Sequence, residues 1–402
     1  MSIVWHSHKI KMQRLLMCFV GVISLTNCQI PPFMEECVNN AYPPPASHKV
    51  PSYVVNLDLP AAQRWTPVVK NKGHQIKMLL DEFKSLISDI FNGSQAIADF
   101  IDKEGPAFDK TLPQPFADEM RGIANVTGLE LGEIVFFNVF YEFFTVCTSI
   151  VAQDSTGKLY HARNLDFGLF LGWDIKNNTW AVTELLRPMV SIVDFQKGGK
   201  TVFKSVSFAG YIGILTAIKP GKFTLTMNER FNKDGGYIGL MEWILGIRTG
   251  QWMGFLTRNV MESASSYNEA KHSLTVEEML APAYFILGGN ATSGLYQQGC
   301  VITRARDSAV DVWDMERANG WYVLETNYDH WEAPLFLDNR RTPAHHCMGN
   351  MTQQGVSIKG LHNVLSSRPV LNKLTTYTAL MQVDSGHLEA WLQYCPEPCV
   401  PW

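Results

Sequence analysis

Cys147 stands where the sequence changes character. Upstream of Thr145-Val146-Cys147-Thr148-Ser149-Ile150-Val151 the apolar residues recur at helical spacing; downstream, short β-branched runs alternate with turns. A cysteine that opens a strand becomes a chain terminus if the Val146–Cys147 bond is cut. One residue then carries a thiol nucleophile and an α-amine, a candidate for its base. The competing reading is a buried structural cysteine, a common fate for a free thiol. The residues after Cys147 favour chemistry. Residues 148–152, the cluster Asp154-Ser155-Thr156-Gly157 and residues 158–166 read as a hairpin. Centring its turn on Ser155-Thr156 sets Cys147 opposite Asn164, with Arg163 and Asp166 near the same sheet end. A guanidinium there favours the thiolate and lowers its pKa. A carboxylate there would orient the new α-amine or hold the arginine. The alternative for Arg163 and Asp166 is an ordinary surface ion pair.

The elements that must carry this cysteine can be read from periodicity. Residues 31–65 are Pro-rich and read as a surface wrap, with an edge strand at 53–58. Residues 72–91 repeat Ile76, Leu79, Leu80, Phe83, Leu86, Ile87 and Ile90 at helical period. Residues 95–102, 115–123 and 131–144 read as further helices. The aromatic stripe Phe136, Phe137, Phe140, Phe143, Phe144 reads as core rather than lipid contact. Beyond the hairpin, strands are expected at 201–208, 211–218 and 223–229, then helices at 238–245, 252–261 and 267–274. Strands return at 283–287, 300–304, 310–314 and 321–326. Strands, a helical group and strands again suit an α+β plan of two sheets between helices.

The chain has 402 residues, 46% of them hydrophobic, enough for a large core in one or two domains. A net charge of −4 gives no electrostatic case for nucleic acid. Lys9, Lys11 and Arg14 precede the apolar run 15–25, which is too short to span a bilayer and reads as a signal peptide over 1–28, cleaved before Gln29. Met12 is an alternative initiator. Five Asn-x-Ser/Thr sequons, at Asn92, Asn125, Asn177, Asn290 and Asn350, fit a luminal glycoprotein. Of eight cysteines, Cys18 and Cys28 leave with the signal. With Cys147 reserved for chemistry, Cys37, Cys300, Cys347, Cys395 and Cys399 remain, and their odd number leaves at least one free. Cys395 and Cys399 flank Pro396-Glu397-Pro398, close enough for a local bridge. No second Cys or His pair with zinc-ligand spacing stands near them, so no metal is expected.

Cys147-Thr148-Ser149-Ile150-Val151, Gly157 and His161-Ala162-Arg163-Asn164-Leu165-Asp166-Phe167-Gly168 resemble the start of the catalytic subunit in the acid ceramidase family. These are lysosomal N-terminal-nucleophile amidases related to N-acylethanolamine acid amidase. The resemblance continues through Asn228-Glu229-Arg230-Phe231, Glu242-Trp243-Ile244-Leu245-Gly246 and Ala281-Pro282-Ala283-Tyr284-Phe285-Ile286-Leu287-Gly288-Gly289-Asn290. Thr326-Asn327-Tyr328-Asp329, Asp338-Asn339-Arg340-Arg341-Thr342-Pro343 and Cys395-Pro396-Glu397-Pro398-Cys399 complete it. It therefore covers nearly everything after the leader.

The resemblance implies a four-layer αββα sandwich. It implies a helical α subunit at 29–146 and a catalytic β subunit at 147–402, released by autocleavage and joined through Cys37 and Cys347, with Cys300 free. Three further site residues carry over. Glu229 would hold the nucleophile's surroundings, against a salt bridge to Arg230. Asn327 would offer an amide N–H to an oxyanion, against a turn-forming role. Arg340 would complete the site, against a solvated Arg340-Arg341 pair. The implied reaction is hydrolysis of ceramide to sphingosine and a fatty acid through a Cys147 thioester, with no cofactor. The implied partners are ceramide and related N-acyl lipids, with a sphingolipid activator protein. The lysosome is the implied location, with secretion as a second. An N-acylethanolamine amidase is the rival enzyme; the segment 232–247 and the Cys395/Cys399 tail favour the ceramidase. A secreted lipid-binding glycoprotein without activity is the rival of another class.

Overall fold

The computed structural model describes residues 36–90, 111–140, 145–167, 172–230, 250–289 and 298–399. The leader, the sequons Asn92 and Asn290, and the helices expected at 95–102 and 238–245 lie outside these residues, as does the segment 232–247.

The expected edge strand is β1 (Ser52–Asn56). The hairpin is β2 (Thr145–Gln153) and β3 (Leu159–Phe167). A two-stranded ribbon of β4 (Trp173–Asp174) and β5 (Thr179–Trp180) comes next in the chain. After it runs a meander of β6 (Val190–Lys197), β7 (Lys200–Phe208), β8 (Thr216–Lys219) and β9 (Phe223–Glu229). Then come β10 (Ala283–Gly289), β11 (Gln298–Arg304), β12 (Ala309–Asp314), β13 (Tyr322–Glu325), β14 (Thr375–Gln382) and β15 (His387–Leu392). One sheet has eight strands in the order β1-β6-β7-β8-β9-β10-β11-β12, and another has five, β13-β2-β3-β14-β15.

The two sheets face each other through Val151, Leu159, Tyr284, Ile286, Val301 and Val323, which form one apolar cluster. On the other side of the five-stranded sheet, Ile150, Ala152, Ala162 and Leu380 pack with Ala344, Cys347 and Met348 of the helix Arg341–Met351. Leu361, Val364 and Leu365 of the helix Ile358–Ser366 join them. The helices Met253–Ser263 and Tyr267–Val276 lie against β7, β8, β10 and β11 of the larger sheet. Period-2 alternation explains the layering, because successive residues of β2 face opposite sides. The four-layer expectation holds.

Several expected elements shift. The strand expected at 211–218 begins only at Thr216, although Tyr211 to Leu215 is buried. The helix expected from 72 runs Gly73–Ile90, and those expected at 115–123 and 131–144 run Phe116–Thr127 and Leu131–Phe140. Phe137 is buried and Phe136 half-buried against the core; the side chains of Phe140, Phe143 and Phe144 lie outside the described residues. The strands β6, β14 and β15 and the helices Arg341–Met351 and Ile358–Ser366 had no sequence expectation. Among the described residues, no helix is long and apolar enough to cross a membrane.

Candidate active site

The hairpin register differs from expectation by one residue, and the difference decides the site. Cys147 pairs with Leu165 and Gln153 with Leu159. The connection is therefore a three-residue loop, Ser155-Thr156-Gly157, not a two-residue turn on Ser155-Thr156. Gly157 takes φ +91°, the positive-φ position such a loop requires. Asp154 Oδ1 accepts from the amides of Thr156 and Lys158, at 2.8 and 2.9 Å, and locks the loop. A one-residue slip moves every side chain to the other face of a strand. In the observed register Cys147, Ser149, Arg163 and Leu165 share the face toward the second sheet. Val146, Thr148, Asn164 and Asp166 share the other.

On the inner face, Arg163 is fully buried and reaches across to the larger sheet. Its guanidinium donates to the carbonyls of Leu215 and Met227, the latter at 2.8 Å, to Thr216 Oγ1 at 2.9 Å, and to Cys147 Sγ. Thr216 Oγ1 in turn shares a hydrogen bond of 2.9 Å with Tyr377 Oη, which is also buried. The surface ion pair with Asp166 is excluded, since the two side chains leave opposite faces.

The expected depression of the Cys147 pKa is overturned. Burial pushes the thiol up, and the opposing pull of Arg163 does not cancel it; Asp166 pushes the same way as burial. Desolvation outweighs one adjacent guanidinium because the thiol is wholly removed from water. In the uncut chain Cys147 is thus a protonated thiol whose nitrogen is an amide.

Asn327 lies two residues beyond the end of β13. Glu325 pairs with Ser149 in that ladder, so the same register places Asn327 beside Cys147. Its Oδ1 accepts from the Cys147 N–H at 2.8 Å, and its Nδ2 donates to the Glu229 carbonyl at 2.7 Å. Toward Cys147 itself, then, Asn327 is an acceptor through Oδ1, while its amide N–H groups are on Nδ2. Glu229, half-buried at the end of β9, enters this contact through its backbone. Its neighbour Arg230 forks onto Asp329 at 2.7 and 2.6 Å, so Arg230's observed carboxylate partner is Asp329.

Arg340 is 1% exposed, so the solvated pair is also excluded. Arg341 is half-buried and donates to the carbonyls of Tyr328, Asp329 and Glu332. Arg340 donates to the Cys147 carbonyl at 2.6 Å, Thr148 Oγ1 at 3.2 Å, Asn327 Oδ1 at 2.9 Å and Asp166 Oδ2 at 3.4 Å. Asp338 holds it at 2.8 and 3.1 Å. Burial works against its charge, but Asp338 and then Asp166 outweigh burial and keep the guanidinium protonated. Asp166 is pushed up to about 6 by burial, against the pull of Arg340 and hydrogen bonds from Thr375 and Asn372. A carboxyl at this value can exchange a proton near pH 6.

The structure thus brings Cys147, Arg163, Asp166, Asn327 and Arg340 to one sheet end, with Glu229 attached through its carbonyl. Sequence reading missed Asp338, Thr216, Tyr377, Asn372 and Thr375. Asp338 lay inside a motif already singled out. The run Thr375-Thr376-Tyr377-Thr378-Ala379-Leu380-Met381-Gln382 carries a strand signal in its β-branched and aromatic content. Chemically, the site offers a thiol, a fixed cation behind it, a titratable carboxyl and an amide-held nitrogen. Those are parts for acyl transfer at sulfur. Among the described residues, no group of three His, Cys, Asp or Glu side chains could hold a metal ion.

The described cysteines pair as expected. Cys37 bonds Cys347 across 310 residues, Cys395 bonds Cys399, and Cys147 and Cys300 are free and buried. Asn125, Asn177 and Asn350 are exposed.

Two sheets face to face between helices, with the cysteine at the head of an inner-sheet strand, define an N-terminal-nucleophile hydrolase fold. Residues 147–389 match the linear amide C–N hydrolases of the choloylglycine hydrolase family, a match that begins at Cys147 itself. The chain belongs to that family. Residues 48–112 match the segment described as the beta subunit of N-acylethanolamine-hydrolyzing acid amidase. The acid ceramidase of Homo sapiens is 50% identical over 376 residues, covering 92% of this chain and 94% of that one. The acid ceramidase of Heterocephalus glaber is 48% identical over 397 residues, covering 97% and 99%. A solved Caenorhabditis elegans ortholog of N-acylethanolamine-hydrolyzing acid amidase is 31% identical with a TM-score of 0.50. It covers 62% of this chain and 100% of its own.

Proposed function

We propose that this protein is a ceramidase: it hydrolyses the amide of N-acylsphingosine to sphingosine and a free fatty acid. The observation that carries the reading is identity near 50% with acid ceramidases over more than nine-tenths of the chain. Cys147, Arg163, Asp166, Asn327 and Arg340 stand together in support. In the precursor, Cys147 Sγ attacks the Val146 carbonyl carbon. The C–N bond breaks, the nitrogen takes a proton, and a thioester forms. Water then releases the Val146 carboxylate and leaves Cys147 with a free thiol and α-amine. Asn327 Oδ1 already accepts from that nitrogen and would orient the amine. Arg340 would stabilise charge on the neighbouring carbonyl oxygens, and Asp166 would exchange the proton. A lipid cannot reach a thiol that is 0% exposed, so in this reading the cut precedes substrate binding. In the mature enzyme the thiol attacks the lipid amide, the sphingoid amine leaves, and water releases the fatty acid.

The same reading makes 29–146 and 147–402 two chains held by Cys37–Cys347. It also makes the protein a lysosomal glycoprotein that takes lipid with the help of a sphingolipid activator protein. The match at 48–112 favours a second reading, hydrolysis of N-acylethanolamines by the same thiol. Side-by-side assays of purified enzyme on N-acylsphingosine and N-acylethanolamine decide between them. Faster turnover of the ethanolamide reverses the assignment, and no turnover of either leaves a lipid-binding protein.

A further inference from the structure

We propose that Asp338 is a positioning residue of this site: its carboxylate aims the Arg340 guanidinium at Asn327 and the Cys147 carbonyl. The inference rests on the ceramidase reading and extends it to a residue with no contact to the reacting atoms. Asp338 is 4% exposed and closes a short 3-10 turn, Phe336–Asp338. Its amide donates to the Leu335 carbonyl at 2.9 Å, and its own carbonyl accepts the Arg340 amide at 3.0 Å. Backbone and side chain therefore both bind Arg340 to the same residue.

The geometry is a division of labour along one planar fork. Arg340 Nε and Nη2 dock on the two oxygens of Asp338. That leaves Nη1 for the Cys147 carbonyl and Asp166, while Nη2 also reaches Asn327. A bidentate carboxylate fixes the rotation of a guanidinium, which a point contact does not. Tyr328 Oη donates to Asp338 Oδ2 at 3.0 Å, so Asp338 also joins the 327–328 segment to the 338–340 segment. Both segments supply site residues.

Charge supplies a pH readout. The charged groups facing Asp166 are Arg340 and Asp338 from one segment, and the Cys147 thiol of β2 feels its charge from the opposite face. Asn372 and Thr375, ahead of and within β14, hydrogen-bond Asp166. Asp338 raises the Asp166 pKa by like-charge repulsion. Arg340, which Asp338 aims, pulls the other way and more strongly, so altering Asp338 shifts the pH at which Asp166 titrates.

The test uses the full-length chain and its variants Asp338→Asn, Asp338→Glu and Tyr328→Phe. The rate of the Val146–Cys147 cut is followed on reducing gels, and kcat, KM and the pH profile are measured on N-acylsphingosine. For Asp338→Asn the expected result is a kcat loss on the order of 100-fold, as for a misplacement of about 1 Å. KM should stay unchanged, the cut should slow, and the Asp166 limb should shift. Asp338→Glu should recover part of kcat. A folded, disulfide-bridged Asp338→Asn with full kcat and an unmoved limb overturns the proposal, as does a change confined to KM. If Asp338→Asn does not fold, Tyr328→Phe decides: a smaller kcat loss at constant KM supports the role, and full activity overturns it. A wild-type chain that neither cuts itself nor hydrolyses the lipid sinks the functional reading, and the role of Asp338 falls with it.

Discussion

The titration of the Cys147 thiol is set by surroundings it acquires only on folding, and these pull in opposite directions. Burial raises its pKa while Arg163 lowers it, and in the uncut chain burial prevails. Cutting this side chain back from CH2SH to a methyl group changes volume little, at a cost of about 1 kcal/mol. Cys147→Ala should therefore give a folded single chain, uncut at Val146–Cys147 and inactive on N-acylsphingosine. Cys300 is the other free buried thiol, pushed up to about 12 by burial, and Cys300→Ala should still be cut and active. An uncut Cys147→Ala that hydrolyses lipid at the normal rate would make Cys147 structural. Glu325 allows a separate check on stability. Burial pushes it up to about 8 from an ordinary 4.5, so the fold favours its neutral form. Its stabilising contribution is complete below pH 4.5 and lost as pH rises toward 8. Asp166 acts in the same direction between 3.8 and about 6. Buried His161, depressed to about 3, acts oppositely and loses stability as pH falls below 6.5. The Tm difference between uncut wild type and Glu325→Gln at pH 5 and pH 8 isolates the Glu325 part. Glu325→Gln should lose less Tm between the two; an equal loss would show that Glu325 does not titrate there.

At the scale of elements, the β2–β3 loop sets the face on which Cys147 and Arg163 meet. Gly157 has room for a Cβ, whose nearest neighbour would be Gln153 Nε2 at 3.5 Å, so any penalty is torsional rather than steric. At φ +91° an L side chain costs about 1–2 kcal/mol. Gly157→Ala should lower the denaturation midpoint accordingly while leaving the disulfides formed. An unchanged midpoint in chemical denaturation would mean the loop relaxes at no cost. The hairpin's chain ends were visible as two β-branched runs around a turn cluster. Its register was not, because a two-residue and a three-residue loop both fit Asp154-Ser155-Thr156-Gly157. The choice rests on the Asp154 side chain bonding to Thr156 and Lys158 and on the positive φ of Gly157.

For the molecule as a whole, Cys37–Cys347 spans the proposed cut and joins the segment before β1 to the helix over the five-stranded sheet. The mature protein should run as one species without reductant and as two with it. Two chains separating under non-reducing denaturing conditions would show that the bridge is absent from the mature form. Asn125, Asn177 and Asn350 are open to solvent, so glycosidase treatment of protein from its native tissue should lower its mass on a gel. An unshifted band would remove the luminal routing from the functional reading.

The sequence by itself determined what is local. Period and turn chemistry located the helix Gly73–Ile90 and most strands of the larger sheet. Cysteine spacing located the Cys395–Cys399 bridge, and ordered motifs located Cys147, Arg163, Asp166, Asn327 and Arg340. Only the tertiary structure decided what depends on contacts between distant segments. It set the Cys147–Leu165 register and the acceptor role of Asn327 toward the Cys147 amide. It also set the balance of burial against charge at the thiol, and the docking of Arg340 on Asp338. A hydrogen-bond direction or a net pKa shift is a property of the whole surrounding shell. The residues of that shell come from separate stretches of chain, brought together only when the two sheets close.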